Sequence, residues 1–113
     1  MDKLNTYRAI IQAVVTEIAE MIPSDKNSET QLIMDREGGH YVLFSIGWQG
    51  IMREYLPFVH IDIKPDGKVW IQHDGTDLKI ALLLAEKGIA KHDIVLAFQS
   101  LNRRKLLPEF ALN

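Results

Sequence analysis

Between residues 29 and 74 three turn signals cut the chain into apolar stretches that alternate with polar residues, and this pattern leaves few folds open. Glu37-Gly38-Gly39, Gln49-Gly50 and Pro65-Asp66-Gly67 supply residues that tolerate the backbone angles of tight turns. They separate strands predicted near 30–36, 40–48, 51–64 and 68–73. Links this short join antiparallel neighbours, so the segment reads as a four-stranded meander.

The turns also imply a register. A two-residue turn at Gln49-Gly50 sets Ile46 against Arg53, Phe44 against Tyr55 and Val42 against Pro57. A turn at Pro65-Asp66-Gly67 sets Ile63 against Val69 and Ile61 against Ile71. Because side chains alternate, Val42, Phe44, Ile46, Tyr55, Val59, Ile61, Ile63, Val69 and Ile71 then share one face, with Ile33 beside them. The other face collects Leu32, Met34, Tyr41, Leu43, Leu56, Phe58 and Trp70, interrupted by Ser45, His60, Asp62 and Gln72. A sheet covered on one side only shows mostly polar residues on its second face. Here both faces are apolar, so something must cover part of the second.

Helices flank the meander. Leu4, Tyr7, Ile11, Val14, Ile18 and Met21 recur at three- and four-residue steps, which predicts an amphipathic helix over 3–22, stopped by Pro23. A second helix is expected at 77–87, with Thr76 as N-cap and Gly88 closing it. Leu78, Ile80, Ala81, Leu82, Leu84 and Ala85 leave that helix only a narrow polar stripe, into which Leu83 intrudes. A short third helix is expected at 91–98, followed by a tail. The fold class is therefore α+β, in one domain spanning 1–113, a length that buries a core without staples.

Composition narrows function. The chain has no cysteine, which excludes disulfides and thiolate metal sites and fits a reducing, cytoplasmic setting. Thirteen Lys+Arg against fifteen Asp+Glu give a net charge of −2, which disfavours binding dominated by nucleic-acid phosphates. No signal-peptide pattern opens the chain, and no apolar run approaches a membrane span.

Four groups of residues invite a functional reading. His60 and Asp62 share one strand face with Gln72 across from His60 and Asp74 near the strand end, a cluster able to bind metal or act as acid and base. No second histidine stands at a ligand step, so a structural pair at the sheet rim is the plainer account. His73-Asp74-Gly75-Thr76 lacks the glycines and lysine of a phosphate loop and reads as strand end, turn and cap; His40 and His92 need no role. Arg103, Arg104 and Lys105 form the densest basic cluster, suited to DNA phosphates or an acidic protein surface. Trp48 reads as core. Trp70, with Phe58, Tyr41, Leu43 and Leu83, fits either core beneath the tail or contact with a second subunit.

Met1-Asp2-Lys3-Leu4 with Tyr7-Arg8, Gly47-Trp48-Gln49, His60-Ile61-Asp62-Ile63-Lys64 and Gly67-Lys68-Val69-Trp70-Ile71-Gln72 resemble the XisI family. So do Asp74-Gly75-Thr76, Ile80-Ala81, Gly88-Ile89, Asp93-Ile94-Val95-Leu96, Phe98 and Phe110-Ala111. Ala90 departs from the proline that often opens the third helix in that family, and Leu106-Leu107-Pro108 makes an unusually apolar tail. The resemblance implies a cyanobacterial, cytoplasmic α+β protein that controls excision of the fdxN element. It implies action beside a recombinase and an XisH-like partner of endonuclease fold, and it carries no catalytic residue, metal or cofactor onto this chain. The expectation is a non-enzymatic protein that associates with that partner and with itself, as a dimer. The rivals are a metal-assisted hydrolase on His60, Asp62 and Asp74, and a DNA-binding cofactor using Arg103, Arg104 and Lys105.

Overall fold

A computed structural model describes residues 2–22 and 24–113; Met1 and the expected helix stop at Pro23 lie outside them. Helix α1 (Lys3–Met21) starts where the Asp2 carboxylate accepts the backbone N–H of Asn5 at 2.7 Å. Strands β1 (Ser28–Asp35), β2 (His40–Gln49), β3 (Met52–Ile63) and β4 (Val69–Asp74) form the expected antiparallel meander. Helix α2 (Ile80–Glu86) then crosses to β5 (Ile94–Leu96), which pairs parallel with β4, and α3 (Leu101–Lys105) precedes the last residues.

The sheet has five strands, not four. The helix expected at 91–98 is a single 3₁₀ turn at Lys91–Asp93 followed by β5. Ile94, Val95 and Leu96 are all buried, and a short apolar run covered on both faces carries no periodicity that separates strand from helix. Helix α2 is also shorter than its apolar pattern. Asp74 accepts the N–H and hydroxyl of Thr76 at 2.9 and 2.6 Å and the N–H of Ile80 at 2.9 Å. The side chain that caps the helix start is therefore that of Asp74, not Thr76, and Lys79 takes a left-handed conformation (φ 54) to enter the helix.

Two details of register decide which side chains face α1. The hairpin turn is Gly50-Ile51, because Gln49 pairs with Met52. Gly50 adopts φ 62, the positive angle that a type II′ hairpin requires at its first central position. This moves the pairing two residues from the expected one and keeps each face. A bulge at Phe58, between the pairs Phe44–Pro57 and Leu43–Val59, adds one residue, and a one-residue slip exchanges faces. The single face expected from the sequence is thus split. Tyr41 and Leu43 join Val59, Ile61, Ile63, Val69 and Ile71 on the inner face. Val42, Phe44, Ile46 and Tyr55 turn to the outer one. A second bulge, at Gln72, sets His60 opposite His73.

The inner face is closed by Tyr7, Ile11, Val14, Val15 and Ile18 of α1 and by Ile80 and Leu84 of α2. Burying an aliphatic side chain of this size contributes about 1.5–3 kcal/mol, so this layer dominates stability. One polar group is locked into it. The Tyr7 hydroxyl donates to Asp93 Oδ2 at 2.7 Å and accepts the Ala90 N–H at 3.2 Å, while Lys3 Nζ lies 3.1 Å from the same carboxylate oxygen. The start of α1 is thereby fastened to the turn before β5.

Candidate functional site

The outer face of the sheet is covered at one side only. Arg104 of α3 donates from Nε to the carbonyls of Leu96 and Gln99 and from its two terminal nitrogens to Leu112 and Ala97. This guanidinium ties the tail to the end of β5, and Ala111 donates its N–H to Ile94 to bridge the outer edge of that strand. Trp70 is half-buried there, with Lys64 and Arg104 at 5.6 and 6.0 Å from its ring. Of the proposed basic patch, then, Arg103 and Lys105 reach outward and Arg104 is a fastening of the tail.

Over β1, β2 and β3 none of the described elements covers the outer face. It presents Ile33, Val42, Phe44, Ile46, Trp48 and Tyr55, of which Tyr55 is 62% exposed. Phe44 and Tyr55 rings lie 5.3 Å apart, and the Arg53 guanidinium sits 5.3 Å from the Trp48 ring. Trp48 is half-exposed under that arginine, not core. Beyond it the hairpin tip carries Ile51 and Met52 into solvent.

Several residues expected at an interface have other duties. Tyr41 and Leu43 are sealed beneath α1 as core, because the Phe58 bulge turned them inward. Phe58 and Leu83 are half-buried against that same core. Among the expected interface residues only Trp70 lies on the outer face, and the aromatic surface lies mainly on Phe44, Trp48 and Tyr55.

Next to the apolar surface lies a polar centre. Asp62 is nearly buried, and its Oδ1 accepts from His40 Nδ1 at 2.7 Å and from His60 Nε2 at 2.9 Å, with the imidazole protons on those nitrogens. Gln72 Nε2 donates to Oδ2 at 3.1 Å. Burial alone would raise the Asp62 pKa, but the hydrogen bonds from His40, His60 and Gln72 outweigh it and hold the carboxyl below its ordinary value. Three of the four residues expected to cluster are therefore together. Asp74 is not with them, its oxygens being spent on Thr76 and Ile80. His40 takes the vacant place, directly across from Asp62. Sequence reasoning missed it because the expected register sets His40 against Val59; the shifted turn and the bulge together bring it to Asp62.

The family model described as XisI protein matches residues 1–112. The chain belongs to the XisI family. Among solved structures, this XisI-family chain is similar to an XisI-like protein from Anabaena variabilis ATCC 29413, with 36% identity and a TM-score of 0.90 over 97% of this chain and 99% of that one. It is also similar to the fdxN element excision controlling factor XisI from the same organism, at 32% identity and a TM-score of 0.86 over 99% and 100% of the two chains. A comparison with curated proteins finds no match. No helix among the described residues is long and apolar enough to cross a membrane.

Proposed function

We propose that this chain is a cytoplasmic, non-catalytic controlling subunit that binds other proteins through the outer face of β1–β3. Its partners in this reading are an XisH-like protein of endonuclease fold and a second copy of itself, in the control of site-specific DNA excision. One observation carries the reading: a sheet face bearing Ile33, Phe44, Trp48 and Tyr55 lies open beside a fully formed core. Aromatic side chains flanked by arginine are enriched at protein interfaces. The similarity to an excision controlling factor supports the regulatory role.

The rivals lose named parts. The hydrolase drawn on His60, Asp62 and Asp74 lacks its third group, since Asp74 caps α2. The DNA-binding reading loses Arg104 to backbone carbonyls.

Co-expression with an XisH-like protein, followed by gel filtration, tests the proposal. One co-eluting peak is expected, and Tyr55→Asp is expected to split it while leaving circular dichroism unchanged. Separate peaks from the wild-type pair at micromolar concentration would overturn the pairing; co-elution indifferent to Tyr55→Asp would overturn the face.

A further inference from the structure

We propose that His40, His60 and Asp62 form a binding site for a divalent transition-metal ion of the zinc class. The backbone itself assembles the three ligands. His60 and Asp62 are two residues apart on β3 and so project from one side of the sheet, and His40 is the cross-strand partner of Asp62 on β2. Their ligand atoms, two imidazole nitrogens and carboxylate oxygens, lie within 4.8 Å of one another. The present contacts of 2.7 and 2.9 Å are hydrogen bonds, each holding one proton between a nitrogen and Asp62 Oδ1. Ligand atoms about 2.0–2.1 Å from a tetrahedral zinc stand about 3.3 Å apart. Coordination would leave each ring's proton on its other nitrogen, His40 Nε2 and His60 Nδ1, freeing the two facing lone pairs for the cation, and needs the ligands to part by a few tenths of an ångström, within reach of the half-exposed His40 ring.

The support around the ligands is of the kind metal sites use. Gln72 donates to the second oxygen of Asp62 and fixes the carboxylate's orientation. Two nitrogens and one oxygen suit zinc and its first-row neighbours, whereas magnesium and calcium prefer oxygen throughout. The exposed sides of the histidines leave a coordination position toward solvent, on the same face as the apolar surface. The metal proposal does not depend on the partner reading, and the isolated chain tests it.

Tag-free, chelator-treated protein at pH 7.5 would be titrated with zinc by calorimetry and with cobalt(II) by visible absorption. The expected result is saturable one-to-one binding with tetrahedral-type cobalt bands, and no heat with magnesium. His40→Ala, on an exposed ring, should abolish binding with the circular dichroism unchanged, and Gln72→Ala should weaken it by about 10–100-fold, as loss of an orienting partner does. His92→Ala, on a separate turn, should change nothing. Wild-type protein without saturable zinc binding would overturn the proposal, as would binding that survives both His40→Ala and His60→Ala.

Discussion

Tyr7 and Asp93 are separated by 86 positions in sequence, yet one hydrogen bond of 2.7 Å between them joins the first helix to the turn that leads into the last strand. Tyr7→Phe removes that donor and leaves a nearly buried carboxylate with Lys3 at 3.1 Å and His92 at 4.0 Å, which should cost about 1–3 kcal/mol in chemical denaturation. The pH dependence follows from the same group. Burial would raise the Asp93 pKa, but hydrogen bonds from Tyr7 and Lys3 prevail and lower it, as His40, His60 and Gln72 do for Asp62. A carboxyl with a depressed folded pKa stabilises the fold above its unfolded value, near 3.9. That contribution is lost as the pH falls through the lower folded value. Melting temperature should therefore change little from this source above about pH 5 and fall on the acid side of about pH 4. Asp93→Asn should make the acid-side decline shallower, measured by calorimetry across pH 2–7. None of this network is visible in the sequence, because nothing local pairs residue 7 with residue 93.

Elements were legible to different degrees, and the reasons are physical. The α1 stripe and the four meander strands follow from local periodicity and turn residues, and their bounds fall within about two residues of the observed ones. The Pro65-Asp66-Gly67 turn leads correctly to Ile63 opposite Val69. The Gly50 turn misleads, since glycine serves the first central position there and not the second. One extra residue at Phe58 then reverses the inside and outside of β2. A bulge leaves no sign in the alternation, so the expected register sets Val42 and Phe44 on the face of Val59 and Ile61, and Tyr41 and Leu43 on the opposite one. The consequence is measurable. Leu43→Ala should cost about 2–5 kcal/mol as a core truncation, whereas Ile51→Ser at the exposed hairpin tip should stay within about 0.5 kcal/mol. Helix α3 supplies the other contrast. Four carbonyl contacts converge on Arg104, and Arg104→Ala should speed hydrogen exchange at Leu107–Ala111 while leaving the amides of α1 protected.

The whole molecule is a slab of 43 × 35 × 23 Å with a radius of gyration of 14.8 Å, against about 13.3 Å for a typical domain of this length. Its surface of 6952 Å² likewise exceeds the roughly 6,300 Å² of a typical monomer of this mass. Both follow from one arrangement, in which α1 and α2 lie on the inner face and the β2–β3 hairpin extends past its cover. The expectation that the sheet is apolar on both sides rests on composition along the strands, which a change of register does not alter. The particular residues on each side depend on the register, and there the expectation and the fold part.

The two margins of this slab are unequal. Beside β5 the Ala111 N–H bonds the Ile94 carbonyl, while along β1 Asp25 engages the N–H and C=O of Ser28 and no described group bonds the outward N–H and C=O groups of Thr30, Leu32 and Met34. A polymer needs two sticky ends, and among the described residues the longer run of free edge groups lies along β1. Recruitment of a strand by β1 therefore stops after a single addition: two copies meeting there would cap each other as a closed pair, with no fibre to follow.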